Sequence, residues 1–438
     1  MRGISILLTA LCAALTLVPP VEAGVPAPPA PTTEDCLMCH GDAGAARADG
    51  RPVIVVPDTY QASIHGQAGV SCVDCHTDLA SASEWPHAER LQPAQCVTCH
   101  ESPVQQYDLG VHAEARRTRR NLEAATCADC HGSHDIRPSS DPESRTHHMK
   151  LIGTCGRCHG DAEVIERGNI SIGNIVDMFR DSIHGQALIK SGLTVAPTCT
   201  DCHNSHDIRL KSDPASKVFR AAIPGTCGGC HEGIAREYWT GIHGTQVQKG
   251  SPLAPVCSDC HTAHQIRRSE VEGWQLEVIR ECGTCHEQSL ETYRDTYHGQ
   301  VTNLGFTRVA SCAACHGAHA IFPKSDERSM VSPAKVTETC AQCHDGATPR
   351  FAQYDPHADP HNAERNPLLS YTARFMQLLL FGVFTFFGIH TSLWFGRELQ
   401  VKAAHRWRSR TRAKKADEGS TDHAGEEPSA TDDPGGRS

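Results

Sequence analysis

Twenty-two of the 23 cysteines in this 438-residue chain fall into one pattern, Cys-x-x-Cys-His, repeated eleven times. The first copies are Cys36-x-x-Cys39-His40, Cys72-x-x-Cys75-His76, Cys96-x-x-Cys99-His100, Cys127-x-x-Cys130-His131 and Cys155-x-x-Cys158-His159. Then follow Cys199-x-x-Cys202-His203, Cys227-x-x-Cys230-His231, Cys257-x-x-Cys260-His261, Cys282-x-x-Cys285-His286, Cys312-x-x-Cys315-His316 and Cys340-x-x-Cys343-His344. Two thiols at this spacing reach the two vinyl groups on one edge of a porphyrin and form thioethers. The adjacent imidazole then comes under the iron as an axial ligand. Tetrahedral zinc also takes Cys and His, but it does not require a His beside every second Cys. A disulfide framework has no reason to repeat one spacing so uniformly. The pattern therefore points to eleven covalently attached haem c groups.

Eleven irons need eleven further axial ligands. Seventeen histidines lie outside the motifs, fourteen of them before residue 370, whereas only Met149, Met178 and Met330 are free to substitute. Met/His ligation raises the potential relative to His/His, so the balance predicts mostly low-potential bis-His haems. The spare histidines form two classes. His65, His112, His184, His243 and His298 lead a motif by 7 to 15 residues, and His134, His206, His264 and His319 trail one by three. A leading His, a motif, a trailing His and a second motif make a two-haem unit. Such units start near 65, 112, 184, 243 and 298, leaving the motif at Cys36 single. In the first unit Leu79 occupies the trailing position, and His87 is the expected substitute. His87, His147, His148, His357 and His361 are the weaker distal candidates. Repeated units stack in one dimension, which predicts an elongated row of haems. Arg137, Arg209 and Arg267 recur in His-x-Ile-Arg, where a guanidinium suits a haem propionate. The run from Arg116 to Arg120 reads as a solvated face or as a dock for an acidic partner.

The elements that must hold these motifs have little core material. Aromatics are 5% of the chain, and only fourteen lie between residues 24 and 370. Porphyrin must replace the side-chain core that aromatics ordinarily build. The expected fold is mainly α with low regular secondary structure. It comprises an undecahaem domain over 36–347 behind a Pro-rich linker over 24–35. Residues 1–23 read as a secretory signal, with Arg2, an apolar run from Ile4 to Val18 and a Val21-Glu22-Ala23 cleavage site; Cys12 goes with it. After a linker over 348–370, residues 371–396 read as a transmembrane helix. Its apolar stretch from Phe375 to Gly396 would span about 33 Å. Arg397 to Lys415 then holds eight Lys/Arg against one Glu. That asymmetry puts a basic, then acidic tail (397–438) in the cytoplasm and the bulk in the periplasm, tethered to the inner membrane. The net charge of −10 argues against nucleic acid as a partner.

The eleven motifs over 36–344 resemble the multihaem c-type cytochromes of bacterial respiration. The resemblance implies electron transfer through closely packed haems, with a minority of the family acting as reductases; no residue of the sequence reads as catalytic. The stretch from Phe386 to Arg397 resembles helices that pack with di-haem cytochrome b subunits in quinone-linked complexes. His390 would then contact quinone or a b-type haem shared with that partner; the plainer reading is a structural hydrogen bond. The partners implied are a membrane cytochrome b or other quinone-linked subunit, and periplasmic cytochromes or reductases. The alternative function is reduction of a small nitrogen or sulfur oxyanion at one open haem. Nitrite reductases of the family often mark that haem with Lys in place of the motif His, and all eleven motifs here end in His.

Overall fold

The computed structural model describes residues 29–82 and 84–420. The signal reading of 1–23 and the acidic end of the tail from 421 lie outside them. Among the described residues there is no strand, only an isolated bridge between Ala46 and Pro52. Short helices joined by tight turns make up the rest, as the sequence predicts.

The helices are short because the motifs start and stop them. In Cys72–Cys75, Cys127–His131, Cys199–His203 and Cys257–His261, the acidic residue inside the motif turns back onto its own N-terminus. Asp74, Asp129, Asp201 and Asp259 each accept the backbone N–H three residues earlier at 2.7 Å. This satisfies an orphan donor and places negative charge at the helix start. Gly132, Asn204, Thr262 and Gly317 then follow the motif histidine with φ of 88, 66, 62 and 81°. The left-handed turn ends each helix at once and sends the chain back toward the trailing histidine.

Leading histidines sit in the first turn of a second kind of helix: Ile64–Gln67, Val111–Thr118, Ile183–Ile189, Ile242–Gln248 and Tyr297–Asn303. Each follows closely on another helix. At three of the breaks Ser63, Ser182 and Thr296 accept the N–H of Gly66, Gly185 and Gly299. A Cβ at Gly66 or Gly185 would lie 2.0 Å from the carbonyl oxygen of Tyr60 or Phe179, so the residue after the histidine must lack one.

The chain forms two compact units. One comprises residues up to 285 with 310–339; the other comprises 286–309 with 340 onward. In the first, one backbone hydrogen bond recurs. Ile64, Val111, Ile183 and Ile242, each just before a leading histidine, donate to the carbonyls of Ile136, Ile208, Ile266 and Ile321 at 2.7–2.9 Å. Each acceptor lies two residues after the trailing histidine of the next two-motif repeat. Apolar packing is limited to small clusters. Ile152, Val176, Leu188 and Ala196 form one, and Tyr238, Val247, Ala254 and Val256 the other.

In the second unit, the segment after the last motif folds onto helix Glu287–Arg294. Gln288 bonds Asp359 at 3.2 Å, and the Thr292 hydroxyl lies 3.1 Å from His357 Nδ1. An Arg365–Asp355 pair at 3.0 Å closes the turn. Helix Pro367–Ser420 follows, long and apolar enough to cross a membrane and unburied along its apolar stretch. It exceeds the 371–396 span at both ends and carries the first part of the 397–438 tail as helix. Lys, Arg, Ala, Gln and Glu dominate there, and all are strong helix formers.

Candidate haem-ligating sites

Among the described residues nine motif histidines face a second imidazole. In the first unit the pairs are His40–His87, His65–His100, His76–His134, His112–His159, His131–His206, His184–His231, His203–His264 and His261–His319. In the second the pair is His298–His344. Ring centres are 5.8–6.5 Å apart throughout. That is too far for ring stacking contact. Two metal–imidazole bonds of about 2.0 Å, plus about 1.1 Å from each nitrogen to its ring centre, give about 6.2 Å. The spacing fits one iron between the rings. Among the described residues no three His, Cys, Asp or Glu side chains converge as a tetrahedral zinc site needs.

The surroundings suit ligation. Burial pushes the imidazoles of His112, His131, His203 and His264 below their ordinary value, which favours the neutral, ligating form. His40 Nδ1 lies 2.9 Å from the Val53 carbonyl and His87 Nδ1 lies 2.8 Å from that of Ala88. Such bonds fix the tautomer and leave Nε2 for a metal. The rings of His40 and His87 lie within 11° of parallel, those of His203 and His264 within 8°.

The pairs follow a rule. A leading histidine faces the second motif of its own two-motif repeat: His65 with His100, His112 with His159, His184 with His231, His298 with His344. A trailing histidine faces the first motif of the repeat before it: His134 with His76, His206 with His131, His264 with His203, His319 with His261. His87 faces His40 at the single motif, the place this rule gives a trailing histidine of the first repeat, where Leu79 stands; His134 faces His76 at the motif of Cys72.

Thiols of successive motifs also meet. Cys36 contacts Cys72, Cys96 contacts Cys127, Cys155 contacts Cys199, Cys227 contacts Cys257 and Cys282 contacts Cys312. The second cysteine of the even-numbered motifs comes within electrostatic reach of the next motif: Cys75 of Cys96, Cys130 of Cys158, Cys202 of Cys227, Cys260 of Cys282. The attachment edges of the first ten motifs thus run side by side in sequence order.

Other candidates lie elsewhere. His148 Nε2 bonds the Ala196 carbonyl at 2.9 Å, and His147 Nδ1 receives the N–H of Met149. Both rings are engaged in holding the turn before helix Leu151–His159. His361 receives no motif histidine among the described rings, and its N–H bonds Asp359. The His390 ring lies 6.4 Å from that of Phe386 along the apolar helix. His243 occupies on its helix the position His184 has on the previous one; His286 precedes helix Glu287–Arg294 and His316 ends helix Cys312–His316. Arg137, Arg209 and Arg267 pair with Asp141, Asp213 and Glu277 at 2.9 Å, so protein carboxylates already engage them. Arg116 bonds the carbonyls of Leu122 and Ala124 rather than facing solvent freely.

Two recurring devices escaped the sequence reading. An aromatic stands five residues before each leading histidine: Tyr60, Tyr107, Phe179, Tyr238 and Tyr293. Tyr60, Tyr107 and Tyr238 donate to the carbonyls of Val70, Ala125 and Pro255, two residues before a motif's first cysteine. Ser144, Ser216 and Ser329 bond back seven residues to the carbonyls of Arg137, Arg209 and Phe322. Fixed offsets from the motifs were the available signal for both.

Comparisons with known proteins agree with this geometry. Residues 64–160 match the family model described as Cytochrome c3, and residues 306–348 match that of a Doubled CXXCH motif. The chain is 21% identical over 345 residues to the High-molecular-weight cytochrome c of Nitratidesulfovibrio vulgaris, covering 71% of this chain and 56% of that relative. It is 23% identical over 205 residues to the Multiheme cytochrome MtrA of Shewanella baltica, covering 44% of this chain and 53% of that one. It thus spans little more than half the length of these curated relatives. No solved structure gives a significant match. Motif chemistry, the helical fold of the described residues and these relatives together support a multihaem c-type cytochrome.

Proposed function

We propose that this chain carries eleven haem c groups, bis-His ligated, and conducts electrons along them between a membrane partner and periplasmic redox proteins. The observation that carries the reading is the set of imidazole pairs 5.8–6.5 Å apart, one ring of each pair belonging to a haem-attachment motif. The paired rings would hold the iron from both faces, and haem would supply the one-electron chemistry. Two axial imidazoles leave no position for substrate, which favours conduction over oxyanion reduction. The adjacent cysteines of successive motifs support a continuous path, because electron tunnelling weakens steeply with distance. At the membrane end, the pair His298–His344 belongs to the same compact unit as helix Pro367–Ser420. Electrons would cross between that site and a quinone-linked subunit packed against the helix, with His390 as the contact to quinone or a shared b-type haem.

The ligand rule gives the test. Oxidised holoprotein should show eleven haems per chain, all low-spin by quantified EPR. His206→Ala should convert one iron to high-spin, and that iron should belong to the motif of Cys127 rather than to the nearer motif of Cys199. A native high-spin iron that shifts with nitrite, hydroxylamine or a sulfur oxyanion would favour the reductase.

A further inference from the structure

His87 is held unlike any other histidine that faces a motif. Leading histidines lie in the first turn of a helix, and at His65, His112, His184 and His243 the residue before the histidine is hydrogen-bonded to the next repeat. Trailing histidines lie in turns closed by that same bond and by ion pairs such as Arg145–Asp135 and Arg209–Asp213. His87 has neither support. Among the described residues, 84–94 donate no backbone–backbone hydrogen bond and form no helix. Glu89 reaches the Ala48 N–H at 3.2 Å and Asp78 the Gln92 N–H at 2.9 Å; these are the side-chain ties of the segment to the rest of the unit. The His87 ring itself is hydrogen-bonded to the carbonyl of its own neighbour, Ala88. Trp85, edge-on to the ring at 5.8 Å, is half exposed. Segments with few buried contacts and exposed backbone open locally at little cost.

From this we infer that His87 is a displaceable distal ligand, so that the first haem, attached at Cys36 and Cys39, is an exchangeable site for a small uncharged diatomic molecule. The inference rests on the bis-His reading above. Glu84 and Glu89 flank the histidine and outnumber Arg90 on the segment, with Arg51 within electrostatic reach of Glu89, so no surplus of positive charge recruits an oxyanion and the site suits a neutral π-acceptor of the carbon monoxide and nitric oxide class. Binding would exchange one donor for another: the imidazole lone pair leaves ferrous iron, the diatomic takes its place, and no electron or proton is transferred. The eight other haems whose facing histidines are both described, each with one on a helix or in a hydrogen-bonded turn, would not exchange.

Carbon monoxide is the probe. Dithionite-reduced holoprotein should bind about one carbon monoxide per chain, read from the Soret change against total haem. His87→Ala should bind the same single molecule, but more tightly. If the native histidine is off the iron one-tenth of the time, removing it raises apparent affinity about tenfold. No binding to native protein with one molecule bound by His87→Ala would mean a ligand that does not open, and would overturn the inference. Two molecules bound by the variant, or one at unchanged affinity, would put the exchangeable haem elsewhere and overturn it equally. EPR of the oxidised variant separates this from failure of the ligand reading: no new high-spin iron means that His87 is not a ligand at all. His87→Met guards against loss of the fold. It should keep that iron low-spin, raise one potential and slow carbon monoxide entry relative to His87→Ala; entry as fast as in His87→Ala would count against displacement.

Discussion

His264 and His203 stand 6.0 Å apart with ring planes within 8°, yet 61 positions of sequence separate them. The motif cysteines and proximal histidines were legible because thioether attachment demands local spacing. Distal partnership was not, because nothing local records which iron a spare imidazole will face. His264 follows the motif of Cys257 by three residues and reads as belonging to it, but the left-handed turn at Thr262 carries it onto the preceding repeat. The same turn geometry at Gly132 and Asn204 does this for His134 and His206. A thioether sulfur in place of imidazole favours the reduced state. His264→Met should therefore raise the potential of one haem by part of the roughly 0.8 V that axial ligands span. Spectroelectrochemical titration should find ten couples unmoved and the shifted one at the motif of Cys199. A shift at the motif of Cys257 would contradict the pairing.

At the scale of elements, a helix pair delivers each leading histidine, and in four of the five its tightness depends on one missing methyl group. The His-Gly dipeptides at 65, 184, 243 and 298 were visible in the sequence as a repeat, but their reason was not. The glycine is needed because the last carbonyls of the preceding helix pass within a Cβ radius of it. Gly185→Ala would set the new carbon 2.0 Å from the Phe179 carbonyl oxygen, against backbone that cannot swing away as a side chain does. The helix Ile183–Ile189 must then shift, and its N-terminal bond from Ile183 to Ile266 with it. The expected outcome is a chain that still attaches haem but has one high-spin iron, at the motif of Cys227, whose histidine faces His184. His112 supplies a built-in comparison, since Ala113 follows it where the other four leading histidines have glycine, and that methyl is buried. Ala113→Gly should leave every iron low-spin. The backbone bonds from Ile64, Val111, Ile183 and Ile242 end on the isoleucine of each recurring His-x-Ile, but no side chain dictates them, because any residue but proline supplies the donor.

Over the whole molecule, charge and hydropathy separate two environments that the motifs alone do not distinguish. Phe381, Phe384, Phe386, Phe387, Trp394 and Phe395 are exposed along helix Pro367–Ser420, a large apolar surface that must meet lipid or another helix. Gly388, Ser392 and Gly396 form a small-residue stripe that permits close helix approach. His390 lies roughly opposite that stripe, at 100° per residue, so a partner seated on the glycines need not cover it. An imidazole inside an apolar span is costly to keep without a use. Under the proposed function that use is electron exchange with a partner packed against the helix, whose compact unit also holds His298 and His344. His390→Ala should therefore slow reduction of the haems by quinol in membranes while leaving their reduction by dithionite, their number and their spin states unchanged. Stopped-flow absorbance on membranes and on detergent-solubilised protein separates the two routes. Equal quinol-dependent rates in variant and native membranes would reduce His390 to a structural hydrogen bond and place the membrane contact on the small-residue face instead.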